Sequence, residues 1–93
     1  MIISHYIALM SGFVEGDIPV EQFVKRFIAA FKEEDSIPQE YFDVLDSVFA
    51  DADSYSADVE LRAENPEFYI DEDQLRESVR AARENLSQKD GRK

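Results

Sequence analysis

Ninety-three residues, 44% of them apolar and including seven Phe and four Tyr, can build one core but leave no room for a second, since single domains commonly hold about 100 to 150 residues. The absence of Cys excludes disulfides, thiolate catalysis and zinc sites built on sulfur. The formal net charge of −11 is segregated: residues 33–73 hold fifteen acids against one base, Arg62, a segment charge of −14. Such a field repels nucleic acid and anionic membranes and attracts basic surfaces, with solubility alone as the plainer alternative.

Ile3, Tyr6, Ile7, Met10, Phe13 and Val14 recur at three- and four-residue steps, which predicts a first helix over 2–14 with one apolar face. Gly16 supplies the backbone freedom that its end requires. The run from Met1 to Val14 has no Lys or Arg before it and is broken by Ser4, His5, Ser11 and Gly12. It therefore reads as the first core helix of a cytoplasmic protein, not as a signal peptide or a membrane span.

Asp17-Ile18-Pro19 predicts a helix start with Pro in the first turn, and Val20, Phe23, Val24, Phe27, Ile28 and Phe31 form the heaviest apolar stripe in the chain. Asp17-Ile18-Pro19-Val20-Glu21-Gln22-Phe23 returns as Ser36-Ile37-Pro38-Gln39-Glu40-Tyr41-Phe42, with Ile, Pro, Glu and Phe in matching places. Shared helix-start chemistry accounts for this better than duplication, with Ser36 and Gln39 spaced as a capping box. The third helix turns Phe42, Leu45, Val48, Phe49 and Ala52 inward and Asp43, Asp46, Asp51 and Asp53 outward.

Periodicity fades between Ser54 and Tyr69, where Asn65-Pro66 argues against a continuous helix. A short helical turn near 57–63 and then a loop are expected. Ile70-Asp71-Glu72-Asp73-Gln74-Leu75 is the clearest start in the chain, with Asp71 as cap, Gln74 reciprocating and Ile70 stapling onto Leu75. Val79, Ala82 and Leu86 continue that helix, and Arg76, Arg80 and Arg83 can pair with Glu72, Glu77 or Glu84.

The whole predicts an all-α fold, a compact antiparallel four-helix bundle with an irregular acidic segment between helices three and four. It occupies a single domain over 1–87, with a frayed tail over 88–93.

Catalysis finds little support. His5 is the only histidine and has no nucleophile set beside it by a motif, so it reads as an ordinary surface or partly buried residue. Asp51, Asp53 and Asp58 invite a calcium reading, but counting from Asp51 puts Ser56 where an EF-hand needs Gly and Arg62 where it needs Glu. No metal, no cofactor and no enzyme activity are expected. Tyr55 reads either as a loop-anchoring aromatic or as an interface anchor steered by neighbouring charge. Arg62 is expected to bridge carboxylates and hold the loop.

The run Phe49-Ala50-Asp51-Ala52-Asp53-Ser54-Tyr55-Ser56-Ala57-Asp58-Val59-Glu60-Leu61-Arg62, followed by Ile70-Asp71-Glu72-Asp73-Gln74-Leu75-Arg76, resembles the colicin D immunity family, which includes bacterial self-protective colicin-like immunity proteins. The similarity extends from helix one, through the Glu15-Gly16-Asp17-Ile18 turn and the Phe-rich second helix, to about Leu86. The resemblance implies a four-helix immunity protein. Its partner would be the basic C-terminal nuclease domain of a cognate bacteriocin or contact-dependent growth-inhibition toxin, typically a tRNA-cleaving ribonuclease. The immunity protein would cover that active site with a phosphate-mimicking surface and would touch neither nucleic acid nor membrane itself. By position, Asp53, Tyr55, Asp58 and Glu60 match the family's toxin-facing acidic segment; Asp43, Asp46 and Glu64 are added from charge and exposure. An acidic adaptor for a basic partner in another pathway is the alternative, and a metal-responsive protein is a third class.

Overall fold

A computed structural model describes residues 3–90, and among them the chain forms five helices and no strand: α1 Ile3–Val14, α2 Val20–Glu33, α3 Gln39–Ser54, α4 Val59–Glu64 and α5 Glu72–Asp90. The four long helices pack in a ring, α1 on α2, α2 on α3, α3 on α5 and α5 on α1. The short α4 stands apart from that ring. α4 is the short helical turn expected near 57–63, long enough to stand as a helix of its own, so the count among the described residues is five instead of four. Ile2, at the expected start of helix one, lies outside the described residues. So do Gly91 to Lys93, at the end of the expected tail; α5 carries helix through Asp90.

The turn between α1 and α2 is dictated by its glycines. Gly16 has φ +88°, a left-handed conformation open to Gly at little cost. Its N–H donates to the Phe13 carbonyl at 3.1 Å, while the Asp17 N–H donates to Gly12 at 2.8 Å, the paired bonds of a Schellman helix end. Gly12 is required for a different reason. A Cβ there would lie 2.5 Å from Ile18 Cδ1, so the missing side chain lets Ile18 fold back onto α1.

The Ile-Pro repeat starts α2 and α3 alike, though one residue out of the expected register. Pro19 (φ −60°, ψ 151°) and Pro38 (φ −54°, ψ 140°) are the extended cap residues themselves, not members of the first turn. Their carbonyls accept from Phe23 at 2.9 Å and Phe42 at 3.0 Å. Ile18 and Ile37 thus precede the cap, and Phe23 and Phe42 occupy the fourth helical position, the spacing of a hydrophobic staple. The capping box expected of Ser36 and Gln39 does not form. With Pro38 at the cap, Gln39 is the first helical residue and cannot reach back, and its amide donates to Asp43 at 3.1 Å. At α5 the box is present: Gln74 N–H to Asp71 Oδ1 is 2.8 Å and Asp71 N–H to Gln74 Oε1 is 3.0 Å.

The core takes Tyr6, Met10 and Phe13 from α1, Val20, Phe23 and Phe27 from α2, Leu45 and Val48 from α3, and Leu75, Val79 and Leu86 from α5. Phe13 stacks on Phe23 at 4.5 Å between ring centroids, and Tyr6 meets Phe27 edge-on at 5.6 Å. Phe42, expected inside, is 38% exposed. Its position in the first turn of α3 leaves it on the rim, tilted 6.0 Å from Phe31.

Tyr6 reaches from α1 to the end of α2, donating to the Ala30 carbonyl at 3.2 Å and to Glu34 Oε1 at 3.0 Å. Burial, and then the Glu34 carboxylate that accepts its hydrogen bond, push the phenol up to about 12. An unfolded Tyr ionises near about 10, so between those two values the unfolded chain loses this proton first and stability falls as pH rises. Melting curves at about pH 9 and about pH 11.5 are expected to show a larger alkaline loss in the native chain than in Tyr6→Phe. An equal loss in both would remove Tyr6 as the cause.

Candidate functional site

The seven candidate residues fall on two neighbouring parts of the molecule. Asp43, Asp46 and Asp53 are exposed on α3, and spacings of three and seven residues put them on one face. Asp43 also borders a groove of about 420 Å³ between α3 and α5, together with Ser47, Asp51, Ser78 and Asn85. Asp58, Glu60 and Glu64 are exposed on and before α4.

Tyr55 joins the two parts. It follows α3 directly, pairs with Ile70 in an isolated parallel bridge and is half-buried against the core. Burial, and then the carboxylates of Glu21 and Glu72, raise the pKa of its hydroxyl, while Arg62 opposes them. The ring is thus held where α3 ends and α5 begins. Truncating it loosens that junction as well as removing a surface contact.

Asp58 has a structural task that charge counting missed. Its Oδ1 accepts from the Glu60 N–H at 3.0 Å and the Leu61 N–H at 3.1 Å, capping α4. The signal was present in the sequence as Asp followed by a short apolar and charged run, but six helical residues are too few for periodicity to speak. Charge and cap can be separated, because Asn caps about as well as Asp. Asp58→Asn is expected to leave melting unchanged, whereas Asp58→Ala loses about 1 kcal/mol if α4 melts together with the whole fold. Any loss of partner binding in Asp58→Asn then reports the charge.

The field at these residues is poorly neutralised from within. Asp46, Asp53, Glu60 and Glu64 make no ion pair or side-chain hydrogen bond among the described residues. Arg62, expected to bridge carboxylates, instead donates to the Ser56 carbonyl at 3.2 Å. Its guanidinium closes the loop and leaves the acids without a counter-charge.

The three arginines of α5 are engaged along their own helix or toward α1 and the turn after it. Arg76 contacts Glu72 at 2.7 Å and covers the Phe13 ring at 4.9 Å. Arg80 pairs with Glu77. Arg83, one of three arginines expected to pair along their own helix, crosses to Glu15, just past the end of α1, at 3.6 Å.

His5 is exposed and borders a second groove, of about 720 Å³, with Tyr6, Leu9, Ile18, Arg26 and Glu34. None of the seven candidates lines it. Among the described residues no three His, Asp or Glu side chains converge into an arrangement that could hold a metal ion, and no helix is long and apolar enough to cross a membrane. What this surface can do is bind: it is a carboxylate-rich face and loop, largely unneutralised, on a helical frame.

No curated protein and no solved structure matches the chain. Residues 1–86, nearly the full length, match the family described as bacterial self-protective colicin-like immunity, and the chain belongs to that family.

Proposed function

We propose that this immunity protein neutralises the basic nuclease domain of its cognate toxin, a tRNA-cleaving ribonuclease, by laying the acidic surface of α3 and the α4 segment over the toxin's active site. Membership of the family implies protection by binding a toxin. The choice of a nuclease rests on charge, since an active site built to hold RNA phosphates is basic and meets a carboxylate surface with complementary potential. The observation that carries the reading is the set of unpaired carboxylates at Asp46, Asp53, Glu60 and Glu64, in a segment whose one cation, Arg62, is turned onto backbone.

Asp43, Asp46, Asp53, Tyr55, Asp58, Glu60 and Glu64 form the proposed contact. In this reading the protein acts stoichiometrically in the cytoplasm, with no cofactor and no nucleic acid or membrane contact of its own. Its four long helices run antiparallel and present the acidic surface as one rigid unit.

The test is a tRNA-cleavage assay with the toxin domain encoded immediately upstream, titrated with this protein at low and high salt. Complete inhibition at equal stoichiometry, weakened by salt, is the expected result. Cleavage that persists under an excess of the protein overturns the nuclease assignment.

A further inference from the structure

The chain between residues 56 and 69 leaves the helical ring and returns to it at one point. The Ser56 N–H donates to the Ile70 carbonyl at 3.1 Å, and the Ile70 N–H donates to Ser54 at 3.0 Å. A surface loop whose ends are pinned together in this way is an Ω-loop, a form that frequently carries function. Its interior is ordered from within. Asp58 caps α4, Arg62 clamps the Ser56 carbonyl, and the Asn65 carbonyl accepts from Phe68 and Tyr69 at 3.0 and 3.2 Å.

Two side chains on this loop contradict ordinary burial. Val59 and Phe68 are each 68% exposed, and Phe42 on the bundle rim is the other large apolar residue found outside among the described residues. Neither Val59 nor Phe68 packs against the core cluster. An apolar side chain exposed singly needs no explanation, but two on one closed loop, beside the exposed carboxylates of Asp58, Glu60, Glu64 and Glu67, have the composition of an interface centre with a charged rim.

We propose that Val59 and Phe68 are the apolar anchors of the toxin contact, seated in an apolar recess that basic side chains frame on the toxin domain. The proposal rests on the toxin-binding reading above and adds the residues that hold the complex together. Charge and anchor divide the work. The unpaired carboxylates draw in a basic partner and govern the association rate, while desolvation of the anchors governs dissociation. Because the loop is already closed and capped, little order remains to be imposed on binding. Basic proteins in general answer the charge, but only one with a matching recess buries the ring, so the anchors select the toxin.

The experiment measures association and dissociation rates of the full chain with the toxin domain encoded immediately upstream, at about 0.1 M and about 1 M salt. The unaltered protein, Phe68→Ala and Val59→Ser are compared. Phe68→Ala is expected to dissociate about 10- to 30-fold faster at both salt concentrations, with association changed less than about twofold and melting temperature unchanged. Val59→Ser is expected to show the same pattern with smaller size.

Dissociation within about twofold of the unaltered chain in both variants overturns the anchors while leaving toxin binding in place. No binding by the unaltered chain overturns both readings. A free protein that sediments as a dimer, and becomes monomeric in Phe68→Ala, assigns the patch to a second copy and overturns the proposal.

Discussion

Phe27→Ala is expected to lower the free energy of unfolding by roughly 3 to 5 kcal/mol, a large share of the roughly 5 to 15 kcal/mol that holds a domain folded. Phe27 is completely buried and stands at the middle of an aromatic row, with Tyr6 at 5.6 Å, Phe23 at 5.7 Å and Phe31 at 6.3 Å. Its removal exposes faces of three rings that are themselves fixed by other contacts. Tyr6 is tied to Ala30 and Glu34, and Phe23 is stacked on Phe13, so collapse into the void is restricted. The cost then includes a cavity as well as the lost transfer energy. Urea melts of the two proteins check this, and a loss below about 1 kcal/mol would mean that the row closes over the gap.

Why the core was readable and the candidate surface only partly so follows from the residues concerned. In α1, α2 and α5 many apolar side chains repeat at helical spacing, so each position supports the others, and Tyr6, Phe13, Phe23, Phe27, Leu75 and Val79 are all buried as their periodicity predicts. The Asp71 box was legible because cap and reciprocating residue are both local. The box at Ser36 misled because its spacing was right while the cap lay elsewhere: Pro38 takes extended backbone and moves the helix start past Ser36.

The loop escaped for another reason. Its closure depends on the pairing of Tyr55 with Ile70, fifteen residues apart, and no local pattern announces such a bridge. Charge located the acids correctly on an exposed surface but was silent on Val59 and Phe68. An apolar residue in an irregular segment gives no sign of which side it faces.

Reversing Asp46 and Asp53 to Lys together is expected to slow association with the toxin domain by about tenfold or more at low salt, within the range that electrostatic steering provides. The folded state is expected to hold or gain slightly. Both side chains are exposed and unpaired among the described residues, so no internal contact is lost. α3 ends with Asp51 and Asp53 and has no basic residue in its last turn, although the negative end of the helix dipole disfavours acids there by about 0.3 to 1 kcal/mol each. A cation at position 53 reverses that penalty. It also relieves self-repulsion, as the net charge moves from −11 to −7 with two Asp→Lys changes. Association is thus predicted to fall while stability holds or rises, a split that no folding defect can imitate.

Stopped-flow association and thermal melting of the same preparations read the two quantities. The rate deficit should shrink between about 0.1 M and about 1 M salt, as the screening length falls from about 10 Å to about 3 Å. An association rate unchanged at low salt would move the steering charge off α3 and onto the loop acids, Glu60 and Glu64. Acids placed against the helix dipole would then need a cause other than toxin capture.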